Sequence, residues 1–194
     1  ASITTEQAMG MKWHSLPFGT FRIHWPHNSH MVYSPRLIAN AFLVKARESG
    51  VQFTHMKVQK LVFFMHAWSL ALHGKSVVSE RPQAWPYGPV FESLYHELKG
   101  YGSSAVDSFL KELNPATGEL AAMAPSPKDE EFQRLLGQVW DRYSNFTALQ
   151  LSALTHETGG PWELTRKSRA GEIADELIRD HYQKKLPSHE PATA

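Results

Sequence analysis

None of the 194 residues is a cysteine. That excludes a disulfide framework, a thiolate nucleophile and any thiolate metal site, and it fits a reducing cytoplasm. No apolar run reaches the roughly 18–20 residues of a membrane-spanning helix. The N-terminal residues show no basic stretch followed by a continuous apolar one, the pattern of a secretory signal. An excess of charge is missing too. The net charge is +1, and Lys12 and Arg22 against Glu6 account for it; from Met31 onward basic and acidic residues balance. A nucleic-acid binder usually carries a basic excess or stripe, so this balance argues against one. With 42% hydrophobic and 20% charged residues, the composition is globular and the length suits one domain.

Catalytic signatures are equally scarce. There is no Gly-x-Ser-x-Gly nucleophile elbow, and Ser69 and His156 have no spacing that would pair them. Gly100-Tyr101-Gly102 falls far short of a phosphate-binding loop. Of the eleven histidines, four precede Met31. His66 and His73 share a helix face but stand about 10 Å apart along its axis, too far for one ion. Glu92 and Glu97 lie five apart on one predicted helix and point in different directions, as solvated helix charges do. Arg166-Lys167-Ser168-Arg169 and Lys184-Lys185 are basic, but cations near helix C-termini are also favoured by the helix dipole. The expectation is a chain with no catalytic centre, no metal and no cofactor.

What is present is helical periodicity. Residues 1–30 read as an expression leader or upstream segment, with Ser29-His30-Met31 as the junction; the competing reading is a native arm that docks its aromatics. Ser34-Pro35 opens the first helix as cap and first turn, with Leu37, Ile38, Ala41 and Phe42 in period and Gly50 as its stop. Thr54 caps a second helix that is apolar on most faces through His73, the mark of a central core helix. Phe109–Leu113 and Glu119–Met123 flank Asn-Pro-Ala-Thr-Gly, a hairpin pattern. Asp129 caps a helix with Phe132, Leu135, Leu136, Val139, Trp140 and Tyr143 inward. Thr147 caps the next, to about Glu157, with Leu149, Leu151, Leu154 and Thr155 inward. Trp162–Ser168 gives a short helical turn. Gly171–Lys184 gives a last helix with Ile173, Leu177, Ile178 and Tyr182 inward. The fold class is therefore mainly α: a single compact domain of about six helices with a short β-hairpin or small strands, spanning 31–186, with 187–194 as a disordered tail.

Pro82–Tyr101 is the most constrained stretch. Val77 and Val78 suit a short extended piece, which Pro82 limits to an edge. Pro86 fixes its own φ and biases Trp85 to extended geometry. Gly88 permits a backbone angle that other residues resist. Pro89 suits the first position of a helix whose apolar face is Val90, Phe91, Leu94, Tyr95 and Leu98. A second unusual spot, Leu154-Thr-His156-Glu-Thr-Gly-Gly-Pro161-Trp162, has a sharp turn of its own. Two readings stand: a structural tie between the two turns, or a recognition surface made of both, since aromatics on rigid turns lose little entropy on contact.

These residues resemble a known family. Leu61-Val-Phe-Phe-Met-His-Ala-Trp-Ser-Leu-Ala-Leu-His-Gly74, then Ala84-Trp85-Pro86-Tyr87-Gly88-Pro89-Val90, Leu94-Tyr95 and Lys99-Gly-Tyr101-Gly102, are similar to the Panacea domain of SocA-like antitoxins and phage-associated proteins. Leu151-Ser-x-x-Thr155-His156 and Pro161-Trp162 fit the same pattern. The likeness spans about Ser34 to Tyr182; the first thirty residues and Phe109–Met123 have no counterpart in it. The resemblance implies a mostly helical antitoxin that binds and silences a cognate toxin, without catalysis or cofactor, and for some members delivery of the toxin to a Clp-type protease. The implied partner-binding residues are Trp85, Tyr87, Gly88, Pro89, Val90, Tyr95, Tyr101, His156, Pro161 and Trp162. The alternative is a DNA-binding autoregulator.

Overall fold

The computed structural model describes residues 31–186; the expectations for 1–30 and 187–194 lie outside the described residues. Seven α-helices and two antiparallel strand pairs make the described domain, one helix more than the sequence pattern suggests. Helix α1 (Pro35–Glu48) starts where expected, with the Ser34 side chain accepting from Leu37 N–H. Helix α2 (His55–His73) is capped by Thr54 and ends at Gly74, which takes the left-handed conformation at φ 67°. Every residue from Val58 to Ala71 on α2 is buried.

Helix α2 is the axis of the molecule. Its apolar residues face all directions, so other elements must cover it from all sides. Helices α1, α4 (Glu130–Tyr143), α5 (Ala148–Thr155) and α7 (Asp175–Gln183) do so, with α3 (Glu92–Leu98) adding a smaller contact. Phe64 stacks on Tyr143 with centroids 4.1 Å apart, and the Trp68 indole N–H donates to the Tyr143 hydroxyl at 2.9 Å. Each large apolar side chain buried this way contributes about 1.5–3 kcal/mol. Helix α4 begins at the Asp129 cap. Thr147 and Gln150 form a reciprocal capping box at the start of α5, a device worth about 1 kcal/mol. Among the described residues no helix is long and apolar enough to cross a membrane.

The strands depart from the sequence reading in one informative way. Val77 and Val78 are extended only as a bridge to Tyr33. The hairpin comes later: β1 (Gln83–Trp85) pairs with β2 (Gly88–Val90) around Pro86-Tyr87. Pro89 is thus a strand residue, not the first residue of α3, and Val90 and Phe91 precede the helix rather than line it. The register explains why proline is tolerated. Pro89 lies opposite Ala84, and Ala84 N–H points away from β2, to Gly171 O at 2.9 Å. This is a non-hydrogen-bonded pair, at which β2 loses nothing by lacking a donor. β3 (Lys111–Leu113) and β4 (Leu120–Ala122) form the second hairpin, shorter than the sequence runs but in the place expected. Helix α6 covers Pro161–Ser168.

Two expected core residues face outward: Leu149 is 74% exposed and Leu177 39%. Helix α7 also starts four residues later than Gly171. The segment before it is extended, with Ile173 N–H donating to Pro82 O at 2.8 Å and Gln83 bridging Glu172. The turn stretch and the last segment are therefore stitched together by backbone bonds that no local pattern announces.

Candidate functional site

The β1–β2 turn is held from beneath by two polar residues of the apolar helix α2. Gln59 makes a two-way amide clasp: its side-chain carbonyl accepts from Phe91 N–H at 3.1 Å, and its NH2 donates to Phe91 O at 3.0 Å. Lys60 is 1% exposed, and its ammonium donates to Pro89 O at 2.9 Å. Burial pushes the Lys60 pKa down to about 7, because a low-dielectric site disfavours the charged form. Burial, and then the charge of Lys60, lower the pKa of the neighbouring His55.

Helix α5 and the loop after it hold the turn from the side. The Ser152 hydroxyl donates to Tyr87 O at 3.0 Å. His156 sets one ring nitrogen 2.6 Å from Ser152 O and the other 3.4 Å from Pro86 O. The Trp162 indole N–H donates to Trp85 O at 2.8 Å, and its ring meets that of His156 at 3.8 Å. Five of the six carbonyls from Ala84 to Pro89, all but that of Gly88, are thus engaged by side chains, with Arg166 reaching Ala84 O at 3.3 Å. Gly88 completes the fit. Its φ is +98°, and a Cβ there would lie 2.6 Å from Thr155 Oγ1 and 2.8 Å from Lys60 Nζ. Both facts demand glycine.

The two turns singled out in the sequence are therefore joined. Of the ten residues expected to bind a partner, the structure brings Trp85, Tyr87, Gly88, Pro89, Val90, Tyr95, His156, Pro161 and Trp162 into one region and separates Tyr101. Gly88, Pro89, Val90 and Pro161 are buried and position the others. Trp85, Tyr95, His156 and Trp162 are half-buried, and Tyr87 at the tip is 73% exposed. Trp85 and Tyr95 meet edge to face at 4.7 Å, and Tyr95 also touches the rings of His55 and His96. Tyr101 lies at the far end of α3, where its hydroxyl donates to Asp107 at 3.1 Å.

Sequence reasoning missed Gln59 and Lys60 as supports; Ser152 and Thr155 lay in the motif it singled out, but without a role under the turn. The signal was there for the first two, since Gln-Lys within an otherwise apolar helix face requires partners. The basic residues of α6 are partly committed, Arg166 to Ala84 O and Lys167 to Glu163 at 2.9 Å. Lys185, expected as part of a basic pair, sits with His181 on Glu157. Burial acts to raise the Glu157 pKa, but the bonds and charges of His181 and Lys185 outweigh it and hold the pKa below the usual range. Among the described residues no three acidic or histidine side chains converge as metal ligands would.

The sequence model of the family described as "Antitoxin SocA-like, Panacea domain" matches residues 58–163, from the buried part of α2 through the α6 turn. Antitoxin SocA of Caulobacter vibrioides (strain NA1000 / CB15N) is 26% identical over 154 residues, covering 76% of this chain and 81% of that protein. No solved structure matches the chain.

Proposed function

From the membership of this chain in the SocA-like antitoxin, Panacea domain family, we propose that it is an antitoxin acting in the cytoplasm, which silences a cognate toxin by binding it directly through the aromatic turn. The observation that carries this reading is Tyr87. It is 73% exposed, yet the backbone on both sides of it is pinned by Ser152, His156, Trp162 and Lys60. An exposed aromatic on a turn already fixed pays little conformational entropy on binding, which is what a binding hot spot requires. Trp85, Tyr95 and Trp162 are half-buried in the same region and add aromatic surface to it.

Co-expression with the product of the neighbouring gene tests the reading. The expected result is restored growth and a complex that co-purifies at defined stoichiometry. Rescue without physical association, or a neighbour that is not toxic, would overturn it. Delivery of the bound toxin to a Clp-type protease is a further step of the same proposal. It predicts a toxin half-life that shortens several-fold when this chain is present and the protease is active. A half-life independent of the protease leaves occlusion as the whole mechanism.

A further inference from the structure

Tyr101, which the turn leaves aside, opens onto a groove of about 560 Å³. One wall is β3 and the run before it, Ser108–Leu113; Arg36, Glu97 and Tyr101 border it, and Leu120 alone comes from β4. Arg36 and Glu97 are paired at 2.7 Å, so their charges are spent on each other. Among the described residues the β3–β4 sheet has two strands, and no third strand pairs either edge. Its register shows which groups face the groove. Asn114 N–H donates to Glu119 O at 2.8 Å, and Glu112 lies opposite Ala121. Hydrogen-bonded pairs alternate along an antiparallel ladder. The N–H and C=O of Lys111 and Leu113 therefore point away from β4, toward the open edge.

Side chains on this hairpin follow the same alternation. Glu112 turns inward and accepts from the Ser34 hydroxyl at 2.5 Å. Leu113 and its cross-strand partner Leu120 turn outward, 62% and 70% exposed. Lys111 is exposed beside them. Asn40 of α1 anchors the base: its NH2 donates to both Leu110 O and Met123 O, and its carbonyl accepts from Leu110 N–H. A rigidly seated, open strand edge with a groove alongside is the geometry of strand addition.

We propose that the β3 edge is a second contact for the toxin, taken up by an extended segment of the toxin that adds to β3 as a strand. The inference rests on the antitoxin reading above and names a further part of the same partner's binding surface. Charge and burial set the chemistry of that segment. An acidic side chain faces Lys111, and an apolar side chain two residues away faces Leu113, with Leu120 one strand further on. Four backbone bonds, to the N–H and C=O of Lys111 and Leu113, hold it in register. Helix α3 joins this edge to the aromatic turn, since Tyr95 lies at one contact and Glu97 borders the other.

The test uses the full chain and the purified toxin encoded by the neighbouring gene. Leu113→Pro removes the outward N–H at an edge position where proline is tolerated. Lys111→Glu reverses the charge. Both variants are expected to keep the wild-type melting curve and to bind the toxin at least tenfold more weakly. Hydrogen exchange gives an independent readout: the Lys111 and Leu113 amides exchange freely in the free chain and slow at least tenfold in the wild-type complex. A wild-type complex in which both variants bind within twofold, and these amides still exchange freely, overturns the strand-addition inference while leaving the antitoxin reading intact. Failure of the wild-type chain to bind any toxic neighbour overturns both.

Discussion

Lys60 donates to Pro89 O from a position that is 1% exposed, and its pKa lies near 7 in the folded chain against 10.5 for a free side chain. Below pH 7 both folded and unfolded chains hold the proton, and folding bears the full cost of burying the charge. Between pH 7 and 10.5 the unfolded chain binds more protons at this site, so the stability contribution of Lys60 rises with pH. The slope is at most about 1.4 kcal/mol per pH unit. Lys60→Met is expected to abolish this rise. Urea titrations of both proteins from pH 6 to 9.5 should give stability curves that diverge steadily, the wild type gaining on the variant; parallel curves would show a normal lysine. Gly88 above it is constrained twice, by φ +98° and by the two atoms a Cβ would strike. Gly88→Val should therefore cost about 2–4 kcal/mol, the sum of backbone strain and contact relief. An unchanged melting temperature would mean the turn can adopt another backbone path.

Elements were legible where one local signal sufficed. Ser34, Thr54, Asp129 and Thr147 each cap a helix, as their residue types and the periods after them predict. The hairpin around Asn114–Gly118 was legible from its turn residues. Positions decided by tertiary neighbours were not. Pro89 carries a strong helix-start signal, yet it pairs in a strand because Ala84 turns its N–H to Gly171. Leu149 and Leu177 fit apolar periods, but among the described residues no element covers them. Asn40 looks like an interruption in an apolar face; its three hydrogen bonds appear only when residues 110 and 123 arrive from far along the chain. Asn40→Ala is expected to cost about 2–4 kcal/mol, because it strands buried backbone groups at the foot of the hairpin. Hydrogen exchange should show the loss concentrated in β3 and β4. A loss spread evenly over all helices would mean that Asn40 supports the core rather than the hairpin.

The whole molecule is a central helix wrapped by others, with two polar residues breaking its apolar surface where a turn must be seated. The candidate site was half legible. Its rare residues stood out as Trp85-Pro86-Tyr87-Gly88 and Pro161-Trp162, but which of them support and which face solvent depends on packing between segments some 77 positions apart. That division makes the aromatics separable by mutation. Trp85 is half-buried against Tyr95, and its carbonyl is held by Trp162. Trp85→Ala should lower stability by about 1–3 kcal/mol, less than a fully buried Trp would. The Tyr87 backbone carbonyl is held by Ser152, a bond that alanine keeps. Tyr87→Ala should leave stability within about 0.5 kcal/mol, as for other surface substitutions, and weaken toxin binding at least tenfold, about 1.4 kcal/mol. Paired melting and calorimetric binding measurements decide between the roles of the turn. Tyr87→Ala with full affinity would make the turn purely architectural, because its most exposed aromatic would then do nothing for the partner that the fold does not already do without it.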